Sequence, residues 1–126
     1  MTDADSEPNN ATRKMDISSI LTPSGVIPAL RSGAKKAVLE ELAEKAAEVT
    51  GRDASEIFSV LLDREKLGST GVGGGVAIPH GKLNDLDRLY MVFARAQNPI
   101  EFDAVDEHPV DLFCMLIAPE EAGADH

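Results

Sequence analysis

The segment Ser69–Asn84, with the sequence STGVGGGVAIPHGKLN, constrains the fold of this chain more than any other feature. Four of its first seven residues are glycine, which favours a turn because glycine adopts backbone angles that other residues avoid. The apolar run Val76–Ile78 favours a strand, and Pro79 should end its ladder because proline has no N–H. Gly81 would then let the backbone turn sharply. We therefore expect His80 at a strand edge, rigidly held and accessible.

Two amphipathic helices are predicted before this segment. The first begins near Lys35, with Ser32 offering an oxygen for its N-terminus, and Gly51 supplies the usual stop. Asp53 and Glu56 approximate a capping box for the second helix, which should end before the glycine-rich segment. Apolar residues recur at helical spacing in the first helix: Val38, Leu39, Leu42, Ala46 and Val49.

Two longer apolar segments predict further strands. Leu89–Ala96 is one, and Val110–Ala118 is so continuously apolar that we expect it to be buried on both faces of a sheet. Helices and strands therefore mix along a chain of 126 residues, which has room for one core and one domain. We predict the α/β class, with three layers (α/β/α) and a mixed sheet.

The first fourteen residues differ from the rest of the chain. Residues 1–14 are polar and show no apolar period, so we predict a disordered N-terminal tail, with the folded domain spanning residues 15–126.

Charge and hydropathy narrow the classes of partner. The formal net charge is −10, from 22 acidic and 12 basic residues, which opposes non-specific binding to nucleic acid or an anionic membrane and favours a basic protein partner. No apolar run reaches the length of a membrane-spanning helix, and the N-terminus is acidic where a secretory signal would be basic. We therefore expect a cytoplasmic protein that neither inserts into membranes nor binds nucleic acid.

Neither a metal nor a cofactor is expected. Val76 interrupts a G-x-G-x-x-G pattern, and no Gly-Lys-Ser/Thr follows the glycines, so no nucleotide loop is predicted. Three histidines and one cysteine show no metal-ligand spacing. Cys114 lies in an apolar run, so we expect a small core residue rather than a nucleophile. His108 precedes a proline in an acidic turn and is predicted to be a surface residue without chemistry.

Three motifs carry a resemblance to a known family. REKLGSTG, then IPHG, then PIEFDAVDEHPVDLFCMLIAP occur in the order typical of it. The chain resembles the enzyme IIA domain of the mannitol/fructose class of the bacterial phosphoenolpyruvate-dependent phosphotransferase system, and within that class its nitrogen-regulatory branch. The resemblance covers residues 15–126. Family members continue with further helical sequence, so it also implies that C-terminal helices are missing here.

The resemblance implies roles for three residues. His80 occupies the position of the histidine that accepts a phosphoryl group from a phosphohistidine on an HPr-like carrier protein (NPr). Arg64 occupies the position of the arginine that stabilises the phosphoryl group, and a guanidinium can bind two of its oxygens at once. His126 occupies the position of a second histidine, which could donate a hydrogen bond to the phosphoryl group.

Three functional hypotheses remain open from the sequence. The first is a phosphocarrier of the nitrogen-related phosphotransferase system that regulates target proteins, such as sensor kinases or transporters, according to its phosphorylation state. The second is a sugar-specific IIA protein that passes phosphate to the IIB domain of a fructose or mannitol permease. The third is a binding module whose action does not depend on phosphorylation.

Overall fold

The computed structural model describes residues 22–120 of the chain. The predicted tail at residues 1–14 lies outside the described residues, as does His126. The described elements, in chain order, are a 3₁₀ turn at Pro23–Gly25, β1 (Val26–Ile27), α1 (Lys35–Thr50), α2 (Ala54–Lys66), β2 (Gly71–Gly73), β3 (Val76–Ala77), β4 (His80–Leu83), β5 (Tyr90–Ile100) and β6 (Val110–Pro119).

Helix α1 begins and ends where the sequence predicts. Its apolar stripe is buried, and Gly51 follows in the left-handed conformation with φ 77°. Its N-cap residue is Ala34, whose side chain makes no capping bond, so the prediction for Ser32 was wrong. The Ser32 hydroxyl instead bonds to the Ala37 carbonyl and to the Glu41 carboxylate. A glutamate nearly two turns into the helix, Glu41, therefore holds the chain that enters α1.

Helix α2 is capped by Asp53, whose carboxylate accepts hydrogen bonds from the backbone N–H and the hydroxyl of Ser55. The predicted capping box is only half formed, because Glu56 pairs with Arg52 at 3.0 Å. The helix ends at Lys66, before the glycine-rich segment, as predicted.

The six strands form one mixed sheet, as predicted. Its order is β1-β5-β6-β3-β2, and β4 also pairs with β6. Strands β3 and β4 both run parallel to β6 and follow one another along it, while β5 pairs with β6 in the antiparallel direction. Strand β6 is thus the central strand on which the segment around His80 is aligned.

Both helices pack on the same face of the sheet. The residues of β6 that point toward them, Phe113, Met115 and Ile117, are fully buried. The alternate residues Leu112 and Cys114 are half-buried, so the prediction of burial on both faces of β6 was wrong, and Cys114 is not a core residue. The α/β class and the mixed sheet are confirmed, while the second helical layer has no counterpart among residues 22–120.

Candidate functional site

His80 is the first residue of strand β4. Pro79 does not end the ladder as expected, because its carbonyl accepts a hydrogen bond from the Leu116 N–H and pairing to β6 resumes immediately. Gly81 does not turn the chain, since it lies within β4 opposite Ile117. The expectation that His80 is held on a strand and exposed is confirmed. Pro79 therefore lies between two short strands, β3 and β4, that both pair with β6.

Two hydrogen bonds orient the imidazole of His80. Its Nδ1 lies 2.9 Å from the Ile78 carbonyl oxygen, and its Nε2 lies 3.2 Å from Nε of Arg64. A carbonyl can only accept, and a guanidinium can only donate, so Nδ1 carries the proton and Nε2 presents its lone pair. The geometry assigns one tautomer, whose unprotonated nitrogen, Nε2, faces the arginine.

Arg64 is positioned by the last turn of α2. Besides its bond to His80, its Nη1 donates to the Gly68 carbonyl at 2.8 Å, which ties the guanidinium to the loop that follows the helix. The structure thus brings together Arg64 and His80, the two described residues to which the resemblance assigns roles, while those roles stay predictions. A half-buried, fixed positive charge next to the unprotonated ring nitrogen of the exposed His80 is suited to an anionic ligand.

A close helix–strand approach brings the two side chains together. A Cβ placed on Gly81 would lie 2.8 Å from Cγ2 of Val60, which is shorter than real side chains tolerate. Val60 is one helical turn before Arg64, and Gly81 follows His80 directly, so this contact lies beside the site. The missing side chain at Gly81 lets α2 pack near enough for Arg64 to reach the imidazole.

The other predicted residues lie elsewhere. His108 is exposed, in agreement with the prediction of a surface residue. Its backbone N–H donates to the Asp106 carboxylate in the loop before β6. Asp106 also accepts from the Gly74 N–H, and these two backbone donors hold the pKa of its carboxyl below the usual value. His126 lies outside the described residues, so its predicted role stays a prediction.

Glu65 is a residue beside the site that the sequence reasoning missed. It is buried, and its carboxylate bonds to the N–H and hydroxyl of Thr70 and pairs with Lys35. The signal was present, because Glu65 continues the buried stripe of Ile57 and Leu61 at intervals of four residues. A carboxylate on the buried face of a helix needs an ion-pair or hydrogen-bond partner, because burying an unpaired charge is costly.

No group of three or more histidine, cysteine, aspartate or glutamate residues within residues 22–120 is arranged to hold a metal ion. None of the described helices is both long enough and apolar enough to cross a bilayer.

This fold, with one histidine and one arginine paired at its surface, is that of a phosphotransferase-system IIA domain. Residues 19–126 match the family described as "Phosphoenolpyruvate-dependent sugar phosphotransferase system, EIIA 2", and the chain belongs to that family. The resemblance stated from the sequence motifs is thereby confirmed.

Three relatives illustrate the similarity. The nitrogen regulatory protein of Bradyrhizobium diazoefficiens is 54% identical over 112 residues, covering 89% of this chain and 73% of the relative. The fructose-specific EIIA component of Haloferax volcanii is 39% identical over 119 residues, covering 89% of this chain and 75% of the relative. The crystal structure of nitrogen regulatory protein IIA-Ntr from Neisseria meningitidis superimposes with a TM-score of 0.80 at 38% identity, covering 86% of this chain and 74% of the other.

Proposed function

We propose that this protein is a regulatory phosphocarrier that accepts a phosphoryl group on Nε2 of His80 from a phosphohistidine of an HPr-like carrier protein. The observation that carries the proposal is the contact of Arg64 Nε with His80 Nε2, because it requires an unprotonated, exposed ring nitrogen beside a fixed cation. A neutral imidazole is a competent nucleophile near neutral pH.

The transfer step follows from this geometry. The lone pair of His80 Nε2 forms a bond to phosphorus while the P–N bond of the donor breaks, and the donor imidazole recovers its lone pair. The proton on His80 Nδ1 stays on its nitrogen, where the Ile78 carbonyl dipole stabilises the positive charge that develops on the ring. Arg64 binds the phosphoryl oxygens, and positioning plus charge stabilisation supply the catalysis.

The regulatory role is supported by the relatives. A protein named as a nitrogen regulatory protein is 54% identical to this chain, against 39% for one named as a fructose-specific EIIA component. Phosphorylation would add about 1.5 to 2 negative charges, by analogy with phosphorylated hydroxyl residues, next to Arg64. Such a change alters which protein surfaces the site can contact, so targets such as sensor kinases or transporters would respond to the phosphorylation state.

The alternative with a specific observation in its favour is sugar-specific transfer to a IIB domain. The fructose-specific relative has the same coverage of this chain as the nitrogen regulatory one, so the family alone does not separate the two. Transfer of labelled phosphate from the phosphorylated protein to a purified fructose or mannitol IIB domain would favour the alternative. Retention of the label in its presence would favour the regulatory role.

The test of acceptance is incubation with phosphoenolpyruvate, enzyme I and the HPr-like carrier, followed by intact mass measurement. We expect a gain of one acid-labile phosphoryl group that is absent from His80→Ala. As a matched control, His108→Ala removes an exposed histidine outside the site and should leave the gain unchanged. No gain in the unmodified protein would overturn the proposal and favour a phosphorylation-independent binding module.

A further inference from the structure

A buried carboxylate, that of Glu65, follows Arg64 directly in the sequence. The side chain of Glu65 is only 3% exposed, and both of its oxygens lie within 3.2 Å of the Thr70 N–H. The Thr70 hydroxyl donates to the same carboxylate. Arg64, the preceding residue, donates to the carbonyl of Gly68 in the same loop. Two consecutive residues at the end of α2 therefore bind the loop 67–70. Glu65 accepts hydrogen bonds from Thr70, and Arg64 donates one to Gly68.

The negative charge of Glu65 is balanced inside the protein. Nζ of Lys35 lies 3.0 Å from Oε1 of Glu65, 3.5 Å from Asp103 and 4.8 Å from the centre of the Phe102 ring. A buried carboxylate with a countercharge and several donors stays in one orientation, because losing any one of these bonds would leave the buried charge less well compensated. Glu65 is thus a rigid acceptor for Thr70.

Thr70 connects this acceptor to the imidazole through the backbone. The Thr70 carbonyl accepts a hydrogen bond from the Ile78 N–H at 2.9 Å. The Ile78 carbonyl, on the same residue, accepts from Nδ1 of His80 at 2.9 Å. The order of contacts is therefore Lys35, Glu65, Thr70, Ile78 and His80, with each link a hydrogen bond or ion pair.

We propose that Glu65 is a positioning residue for His80. By holding Thr70 it fixes Ile78, and by fixing Ile78 it keeps the proton on Nδ1 and leaves Nε2 free to react. The effect on phosphoryl transfer rests on the function proposed above, whereas the effect on the ring does not. The expected effect on the tautomer of the His80 ring distinguishes Glu65 from a residue that only stabilises the fold.

The first experiment determines which ring nitrogen of His80 carries the proton. Two-bond ¹H–¹⁵N correlation spectra of the unphosphorylated protein, taken about two pH units above the ordinary histidine pKa of about 6.5, distinguish the protonated ring nitrogen from the free one. We expect the unmodified protein to carry the proton of His80 on Nδ1. In Glu65→Gln and Thr70→Val, we expect that preference to be reduced. Glu40→Gln removes the same charge from an exposed position of α1 and should not alter the His80 signals.

The second experiment measures the rate of phosphorylation by the HPr-like carrier at a temperature where each variant is folded by circular dichroism. We expect Glu65→Gln and Thr70→Val to be slower by about tenfold or more, because small misplacements at a reacting atom are costly. Thr70→Ser keeps the hydroxyl and should restore most of the rate. Glu40→Gln should match the unmodified protein.

The outcomes separate the two proposals. If the His80 signals of folded Glu65→Gln and folded Thr70→Val match those of the unmodified protein, Glu65 does not position the ring and the inference is overturned. If the unmodified protein accepts no phosphoryl group, the proposed function fails while the spectra still decide the role of Glu65. Altered spectra in both variants, with unchanged spectra in the control, support the inference.

Discussion

Arg64 Nε and His80 Nε2 are 3.2 Å apart, so the cation lies where the phosphoryl group would be bound. The pair cannot keep this contact once Nε2 carries phosphorus. Arg64 must then move its N–H groups onto the phosphoryl oxygens while its Nη1 is still available to Gly68. On the proposed function, the arginine would thus exchange the imidazole for the phosphoryl group as its hydrogen-bond partner and stay in the site.

Replacement of Arg64 by lysine tests this exchange. A lysine keeps the charge but offers no planar pair of donors, so it cannot bind Gly68 and two phosphoryl oxygens together. We expect Arg64→Lys to reduce the rate of phosphorylation by about 100-fold, as measured by quenched-flow mass spectrometry. Arg31→Lys, at a side chain that is 86% exposed, is the control. A rate within about twofold of the unmodified protein would show that charge alone is enough.

The contact of Gly81 with Val60 gives a second prediction. A methyl group at Gly81 would force α2 away from β4, so Gly81→Ala should lower the free energy of unfolding by about 1–3 kcal/mol. It should also slow phosphorylation of the folded protein, because Arg64 moves with the helix. Urea denaturation and the phosphorylation rate measure the two effects. Gly33→Ala, where nothing lies within 4 Å, should change neither, and a stable, fast Gly81→Ala would contradict the proposed packing role.

The loop at Asp106 gives a prediction about pH. Backbone N–H groups of Gly74 and His108 lower the pKa of Asp106 in the folded state, so its ionised form stabilises the fold. This contribution is present above the unfolded pKa of about 4 and is lost as the pH falls through the lower folded value. The stability difference between the unmodified protein and Asp106→Asn should therefore be largest near neutral pH and shrink on acidification. Glu101→Gln, at another exposed carboxylate of this loop, is the matched control.

Cys114 gives a prediction about reactivity. It is the one cysteine of the chain, and burial raises the pKa of its thiol. Since the thiolate is the reactive form, alkylation by iodoacetamide near pH 8 should be slower in the folded protein than in urea. The midpoint of the rate against pH should lie above the ordinary cysteine pKa of about 8.5. Equal rates in the folded and unfolded chain would show that the thiol is freely accessible.

The parts of the fold that the sequence predicts well are those set by local spacing. The buried stripe of α1 and the glycine that ends it depend on residues within a few turns of each other, and the structure has them as predicted. Ser32 was a poor choice of cap because Glu41, nine residues away in sequence, binds its hydroxyl instead. The preference of serine for the start of a helix competes with hydrogen bonds to residues such as Glu41. A local sequence pattern does not reveal partners that lie this far along the chain.

Strand β4 is harder to predict for a related reason. His80, Gly81 and Lys82 have low strand preference. They form a strand because their backbone pairs in parallel with β6, on the side of β6 that β5 does not occupy. The pairing of His80 with Arg64 was predicted from the family resemblance, since nothing in the chain's periodicity places a helix end beside that strand. Glu65 could have been recognised from its place on an apolar stripe, yet its link to His80 depends on the register of Thr70 with Ile78.

The fixed proton on Nδ1 of His80 has a kinetic consequence. Because the bond to the Ile78 carbonyl can persist before and after transfer, the ring would need no rearrangement to gain or to lose phosphate. On the proposed function, transfer would therefore be readily reversible. With His80 as the acceptor, the fraction of this protein that carries phosphate would follow the ratio of charged to uncharged donor, so its occupancy would report the energy state of the supply rather than the amount of any single sugar.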